Sequence, residues 1–554
     1  MSFDLTELNG RKLYEREAGI LLPVMSLPGK YGIGDLGNEA RWFIDVLQNS
    51  GQQLWAMLPN GPVGYGKQGS FEGFCSGGPV GYGNSPYQSL SSCAGNHYYI
   101  SPDKLMEEGL LRPQDLSGLD FGSDPVDIDY GKLFASREKM LRRAFGRWMM
   151  QGGHQSDDFL AFRFKNHGWL DDYAMFMSVK GRLENAPWYK WPDGLKFREK
   201  NTMCNLRRNL NEDITFWRFT QFQFFRQWEQ LKEYAHQKGV KLIGDMPFYV
   251  NHDSADVWSR RELFDLNPDG SIKLFSGIPS GDRDIRWGNP CYDWDRMKAK
   301  NYDWLAERIR IGAGMYDIMR IDHAVAFVHY YGIKDDGARG VWYPGPDSDR
   351  ASATGIIDCV ARERNMDIIV ENLGNNNQRT HDLYDQLNWL GMRIFQHTVG
   401  DMHYGTRNIH LPQMYPQNVA AYTGTHDNET LAGLLAHKSD DDLEYMMTYL
   451  KASKREDLVW NAIDALYNSS AAKVIIPVQD VMSLGNESRI CYEHDFEKSW
   501  RWRLDKISSI SEVMQNRLRG IAVLSGRGHM DDARIKSSGW KEIYRKARID
   551  RYGR

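Results

Sequence analysis

Short apolar runs of strand length alternate with helix-length amphipathic stretches along most of this 554-residue chain. This alternation restricts the possible folds most strongly, because it is typical of βα units that build a parallel sheet. Length does not fix the number of domains, since α/β barrels often exceed the usual domain size as one unit. The sequence predicts its clearest strands at residues 54–58, 240–244, 316–321, 366–370, 392–395 and 419–422.

The segments between these strands predict one elaborated catalytic domain over residues 1–554. Residues 214–237 place large apolar side chains about every third position, which suits one buried helix stripe: Phe216, Phe219, Phe222, Phe225, Trp228 and Leu231. Residues 117–208 have an irregular helical pattern rich in Arg, Lys and Trp, and we expect an inserted helical subdomain there. No low-complexity tract or flexible linker divides the rest into independent domains.

A short tandem repeat lies within residues 61–83. The sequence Gly-Pro-Val-Gly-Tyr-Gly at 61–66 recurs at 78–83, with a Gly-rich stretch between the copies. Loops lie at the surface and tolerate insertion. This duplication is therefore interpreted either as a harmless lengthening or as a modified binding loop.

Composition excludes several classes of function. The formal net charge of -4 gives no overall attraction to nucleic acid, so we expect a neutral substrate. The six cysteines are scattered without a close pair, which argues against a disulfide framework and a zinc site. No secretory signal or membrane-spanning run is found, so we expect a cytoplasmic protein that does not bind membranes. The 18 Trp and 28 Tyr hint at carbohydrate, because flat amphipathic rings stack well under sugars.

Acidic side chains stand at or just after the ends of four predicted strands: Asp245, Asp322, Glu371 and Asp427. In a parallel barrel the carboxyl ends of all strands converge on one face, so these acids can surround one pocket. Glycoside cleavage with retention needs two such carboxyl groups, about 5 to 5.5 Å apart. Arg320 lies two residues before Asp322 on the same strand face and can hold that carboxylate ionised.

Each of these residues also has a structural interpretation. An acid after an apolar strand often caps the next helix. Arg320 and Asp322 could form a purely structural ion pair, and His426 could be a satisfied core histidine rather than a donor to a substrate hydroxyl. Sequence spacing leaves these alternatives open.

Several separated motifs resemble one known family, the 4-α-glucanotransferases, also called amylomaltases or disproportionating enzymes, of the α-amylase clan. The resemblance covers nearly the whole chain. Its carriers are Gly-Tyr-Gly at 64–66, Asn-Ser-Pro-Tyr-Gln-Ser at 84–89, Gly-Asp-Met-Pro-Phe-Tyr-Val at 244–250, Asp-Ser-Ala-Asp-Val-Trp at 253–258, Trp-Gly-Asn-Pro at 287–290, Arg-Ile-Asp-His at 320–323, Val-Glu-Asn-Leu-Gly at 370–374 and Gly-Thr-His-Asp-Asn-Glu-Thr at 424–430.

The resemblance implies an α/β fold, a (β/α)8 TIM barrel with large helical insertions around the active-site face. It implies retaining double displacement on α-1,4-glucans or maltooligosaccharides, with no metal and no cofactor. By resemblance, Asp322 is the nucleophile, Glu371 the general acid/base and Asp427 the transition-state stabiliser. The resemblance assigns sugar binding to Asp245, Arg320, His426, Tyr87, Ser85 and Trp287. Glu371 has to donate a proton, so we expect a raised pKa for its carboxyl group.

The chain departs from the family pattern around the acceptor side. Residues 277–287 are shorter and more charged than usual, with Ile285 where a Gln is typical. Ala-Val-Ala-Phe at 324–327 replaces Phe-Arg-Gly-Phe, and Asn372 replaces an Asp. All three catalytic acids are retained. Two alternatives therefore stay open beside a transferase: an α-glucan hydrolase on the same scaffold, and an inactive glucan-binding homologue.

Overall fold

Eight parallel strands form a closed barrel in a computed structural model that describes residues 7–8, 11–12, 15–64, 84–374, 378–400, 408–492, 495 and 497–528. Each strand pairs with the next along the chain, and the last pairs with the first. The (β/α)8 barrel is thereby confirmed. The strands are β1 (Glu17–Leu21), β2 (Leu54–Ala56), β3 (Lys241–Met246), β4 (Ile318–Ile321), β5 (Asp367–Val370), β6 (Leu390–Ile394), β7 (Val419–Tyr422) and β8 (Lys473–Pro477).

All six predicted strands overlap barrel strands, and β7 has the predicted bounds. The strands β1 and β8 were not predicted. All five residues of each are buried in the barrel. Gly244 in β3 lets the backbone approach the ring of Tyr316, which a Cβ atom there would meet at 2.3 Å.

Helices follow most strands and pack outside the barrel. The helix predicted over residues 214–237 is present as Asn211–Gln237. Five members of its apolar stripe are buried, whereas Phe225 is partly exposed. In the described ranges the α-helices are Asn38–Asn49, Pro102–Glu107, Tyr130–Met150, Asp157–Arg182, Asp193–Lys196, Lys200–Asn209, Asn211–Gln237, Ala255–Ser259, Trp294–Ala299, Asp303–Met315, Ala353–Glu363, Gln378–Leu387, Leu431–Ala436, Asp440–Tyr449, Leu458–Tyr467, Val478–Val481 and Glu512–Leu524.

The longest connection between barrel strands joins β2 to β3 and contains the whole segment 117–208, which is mostly helical. Its helix Asp157–Arg182 packs along the helix Asn211–Gln237. Whether this segment is a separate subdomain stays a prediction. Residues 65–83 of the duplicated loop lie outside the described residues, so both interpretations of the repeat stay open.

A second, antiparallel sheet stands beside the barrel, and we call it the side sheet. It is built from the connections after β3 and β4, in the order Val341–Pro344, His329–Ile333, Phe275–Ser280 and Arg283–Pro290. The altered segment 277–287 therefore lies within a β-hairpin of this sheet. Ion pairs between Arg286 and Asp335 (2.7 Å) and between Asp284 and Arg339 (3.0 Å) tie the hairpin to the neighbouring turn.

The amino ends of the barrel strands hold a buried charge cluster, which we call the basal cluster. The carboxylate of Glu17 in β1 contacts Lys473 of β8 and, at 2.6 Å, Lys241 of β3. Two short strands, Glu7–Leu8 and Arg11–Lys12, pair with each other just before β1. Within the described ranges, no helix is both long and apolar enough to cross a membrane.

Candidate active site

The carboxyl ends of β3, β4 and β5 bring together four charged side chains, which we call the apical cluster. Asp245 is the fifth residue of β3, and Arg320 is the third residue of β4. Asp322 and Glu371 directly follow β4 and β5. Because neighbouring parallel strands end at the same edge, residues separated by more than a hundred positions face one cleft.

Arg320 joins all three acids of the cluster. Its Nη1 donates to Asp245 Oδ2 at 2.5 Å. Its Nη2 contacts Glu371 Oε2 at 2.9 Å and Asp322 Oδ1 at 3.1 Å. Because Asp322 Oδ1 and Glu371 Oε2 contact the same nitrogen, these two oxygens are at most 6.0 Å apart. The separation therefore fits retaining cleavage rather than the roughly 6.5 to 9.5 Å of inverting enzymes.

The apical cluster is buried and has more acids than cations, and both conditions shift the pKa values of its acids. Burial raises the pKa of Asp322 well above its usual value, opposed by Arg320 and reinforced by the charges of Glu371 and Asp245. Burial also raises the pKa of Asp245, against the effects of Arg320 and His426. Close carboxylates cannot all ionise around one guanidinium, so the free site retains protons.

Our expectation of a raised pKa for Glu371 is wrong for the unliganded site. Burial favours its neutral form, but Arg320, a hydrogen bond with Asp322 and the backbone N–H of His323 lower its pKa to about 2. The two carboxyl groups share a hydrogen bond and titrate as a pair. In the free site these shifts favour the neutral form of Asp322 and the ionised form of Glu371.

Tyr87 forms the wall of the cleft next to Asp245. Its Oη donates to Asp245 Oδ2 at 2.6 Å, and its ring stacks on His426 with centroids 5.1 Å apart. Ser85 does not reach the acids through any hydrogen bond in the described part of the chain. Its Oγ accepts from the backbone N–H of Tyr87 and caps the turn that holds Tyr87 in place.

Asp427 lies on the open side of the cleft. It follows β7 and contacts His426 Nε2 at 3.2 Å, but 59% of its side chain is exposed, against 4% for His426. Its charge acts on Tyr87, which places it at the same cleft as the apical cluster. The third acid therefore lies near the coupled pair without being part of it.

Trp287 extends the site toward the side sheet. Its half-buried ring meets the edge of His323 with centroids 4.7 Å apart, and His323 in turn donates its backbone N–H to Glu371 at 2.9 Å. Gln88, next to Tyr87, donates to the Trp287 carbonyl at 3.2 Å. All nine residues singled out in the sequence are thus connected around one cleft.

Two residues of the site were missed. Trp500 packs against both Tyr87 and His426, at 5.9 Å from each ring, although it is far from both along the chain and no local pattern marks it. His323 holds a left-handed backbone conformation, φ +42°, which turns its N–H toward Glu371. The sequence signal that could have identified His323 was its position directly after Asp322.

Most of the chain is similar to proteins of one family. Residues 22–509 match the family profile described as 4-alpha-glucanotransferase. The chain is 34% identical to the 4-alpha-glucanotransferase of Clostridium butyricum over 514 residues, covering 91% of this chain and 99% of that protein. The 4-alpha-glucanotransferase of Thermus thermophilus is also 34% identical, over 88% of this chain and 95% of that protein. The amylomaltase of Streptococcus agalactiae, solved with acarbose, superposes with a TM-score of 0.84 at 31% identity, over 93% of this chain and 100% of that chain.

Proposed function

The chain belongs to the 4-alpha-glucanotransferase family, and from that premise we propose that it transfers α-1,4-glucan segments between maltooligosaccharides by retaining double displacement. One observation supports the mechanism above all others. Asp322 and Glu371 contact the same Arg320 nitrogen, which holds their oxygens closer together than the pair of an inverting enzyme, within a cleft bounded by Tyr87 and His426.

In the first step, we assign the nucleophile to Asp322 and the acid to Glu371. Substrate entry moves the shared proton from Asp322 to Glu371 along their existing hydrogen bond. The Asp322 oxygen then attacks the anomeric carbon while Glu371 protonates the departing glycosidic oxygen. A glycosyl ester forms on Asp322, the C–O bond to the leaving sugar breaks, and Glu371 is left ionised.

In the second step, Glu371 acts as a base. It removes the proton from the 4-hydroxyl of an acceptor sugar, whose oxygen attacks the anomeric carbon and releases Asp322. The low pKa of Glu371 in the free site, about 2, favours the ionised state that this residue must adopt after the first step. The same surroundings that make Glu371 a poor acid without substrate therefore stabilise the intermediate state.

The remaining assignments concern the sugar at the cleavage point. Asp245 Oδ1 is buried and has no hydrogen-bond partner among the described residues, while Oδ2 is held by Arg320 and Tyr87. An unpaired buried acceptor costs free energy, so a sugar hydroxyl that donates to it gains binding energy. Asp427 and His426 provide polar groups on the open side, where positive charge develops on the sugar ring. Trp287 provides a ring on the side of the incoming acceptor.

The test is the product pattern from maltotriose. We expect the parent protein to yield glucose and a ladder of longer maltooligosaccharides, and Asp322→Ala to yield neither. The exposed Asp441 on the helix Asp440–Tyr449 provides a matched control, because Asp441→Asn removes a surface carboxylate that is not among the residues assigned to the cleft. This control should produce the full ladder.

The outcomes separate the alternatives. Release of reducing ends without longer products would identify an α-glucan hydrolase. Thermal protection by maltoheptaose without any product would identify an inactive glucan-binding homologue. A ladder that persists in Asp322→Ala would overturn the assignment of the nucleophile.

A further inference from the structure

A surface groove of about 400 Å³ lies between the helix Asn38–Asn49, the loop that follows β1 and the segment after Trp500. Its volume is in the range of small-molecule sites, roughly 300 to 1,000 Å³. None of the residues assigned to the cleft lines it. The groove therefore requires an explanation of its own.

Trp42 forms the apolar wall of the groove. It lies on the outer face of its helix with 53% of its surface exposed. The described residues include no ring stacked on it and no cation over it. Glu39, three residues earlier, lines the groove from the same helix face. A large exposed ring beside a hydrogen-bonding group is the arrangement in which a sugar stacks and is oriented.

Arg503 lies opposite and is almost completely buried, with 3% of its surface exposed. Its Nε and Nη2 donate to the backbone carbonyls of Pro125 and Gly29, at 3.2 and 3.1 Å. Its Nη1 has no hydrogen-bond partner within the described part of the chain. The two hydrogen bonds hold the buried guanidinium in place at the wall of the groove.

The charges around the groove select the chemical class of the ligand. Three carboxylates and three cations line it, so it has no net charge to attract an anion or a cation: Glu39, Asp124, Asp505, Lys30, Arg503 and Lys506. Donors and acceptors of both signs beside an indole suit a neutral polyhydroxyl chain.

We propose that this groove binds an α-glucan chain outside the cleft, a proposal that rests on the proposed transferase function. Trp500 packs in the cleft against Tyr87, and Arg503 lines the groove three residues later. Three residues span at most about 11 Å. A long glucan can therefore occupy both places, whereas maltotriose engages only the cleft.

The test compares a short and a long substrate in matched variants. Trp42→Ala should raise the KM for amylose about three- to tenfold, the size expected for a lost ring contact, and leave kcat/KM for maltotriose unchanged. Trp42→Phe should recover part of the amylose effect. The control is Phe164→Ala on the helix Asp157–Arg182, because Phe164 is 82% exposed and outside the groove, and it should match the parent with both substrates.

Electrophoresis through an amylose-containing gel gives a readout that needs no turnover. The parent and Phe164→Ala should be retarded more than Trp42→Ala. Equal retardation, or an equal loss with amylose and maltotriose, would overturn the groove proposal. Loss of retardation on adding inorganic phosphate would also overturn it, since the groove would then bind anions. A parent that transfers no sugar would refute the transferase function, while the gel would still decide the groove.

Discussion

The two ends of the same barrel carry buried charge clusters of opposite balance. In the basal cluster, two lysines from β3 and β8 contact the single carboxylate of Glu17. In the apical cluster, Arg320 alone contacts Asp245, Asp322 and Glu371. The basal cluster thus has more cations than acids, whereas the apical cluster has more acids than cations.

We interpret the basal cluster as a support of the fold and the apical cluster as the place of the chemistry. A buried carboxylate with enough cations lowers the cost of its own burial. A buried set with too few cations retains a proton that can move, which is the requirement for acid–base catalysis. The same barrel therefore places its excess of cations at the amino ends of the strands and its excess of acids at the carboxyl ends, the face that carries the active site in TIM barrels.

The largest effect should come from replacing Glu371, the carboxyl group that we assign as the proton donor to the leaving sugar. Glu371→Gln should lower the rate of transfer from maltotriose by about 10²- to 10⁴-fold, because the leaving sugar is no longer protonated. An aryl maltoside, whose leaving group needs little protonation, should lose far less in the first step. Equal losses with the two substrates would argue against the acid role. Glu17→Gln in the basal cluster is the matched control and should keep the parent rate per folded molecule.

Removing the single apical cation should change stability strongly. Arg320→Met leaves the three apical acids without their cation, and breaking buried ion pairs in this way costs about 3 to 5 kcal/mol near neutral pH. The deficit should shrink as the pH falls toward 4, since the acids then become neutral. Denaturant unfolding at several pH values measures this. A deficit that does not depend on pH would show that Arg320 acts mainly through packing.

Asp427 offers an acid near the apical cluster but outside its hydrogen bonds. Asp427→Asn should lower the transfer rate by about 10²-fold, through lost stabilisation of the charged sugar. Because the side chain is 59% exposed, the free energy of unfolding should change by no more than about 0.5 kcal/mol. Kinetics and denaturant unfolding on the same preparation test both parts. A large loss of stability would place Asp427 with the coupled acids instead.

The smallest effect concerns the stability cost of ionising Asp322. Its pKa is raised in the folded protein, so the cost is absent below its usual pKa near 3.8 and grows as the pH rises. Asp322→Asn removes that cost. Its Tm should exceed that of the parent by about 1 to 3 °C at pH 8 and by less at pH 4. A Tm difference that is larger at pH 4 would reverse the sign that we assign to this pKa shift.

Local patterns predicted the barrel and the acids better than their protonation. The strands β3, β4, β5 and β7 were visible as apolar runs, and their terminal acids followed directly. The strands β1 and β8 were missed, although both are buried in the barrel. The direction of the Glu371 pKa shift was wrong, since it depends on Arg320 and the His323 N–H meeting one carboxylate oxygen. Trp500 was missed because its partners are distant in sequence.

The sequence by itself determined the alternation of strands and helices, the family resemblance and the acids that converge, because periodicity and motifs are local properties of the chain. Only the tertiary structure decided the directions of the Asp322 and Glu371 pKa shifts, the exposure of Asp427 and the placement of Trp42 and Arg503 around one groove. Those features depend on distances and burial between residues far apart in sequence, and electrostatic energies change steeply with both.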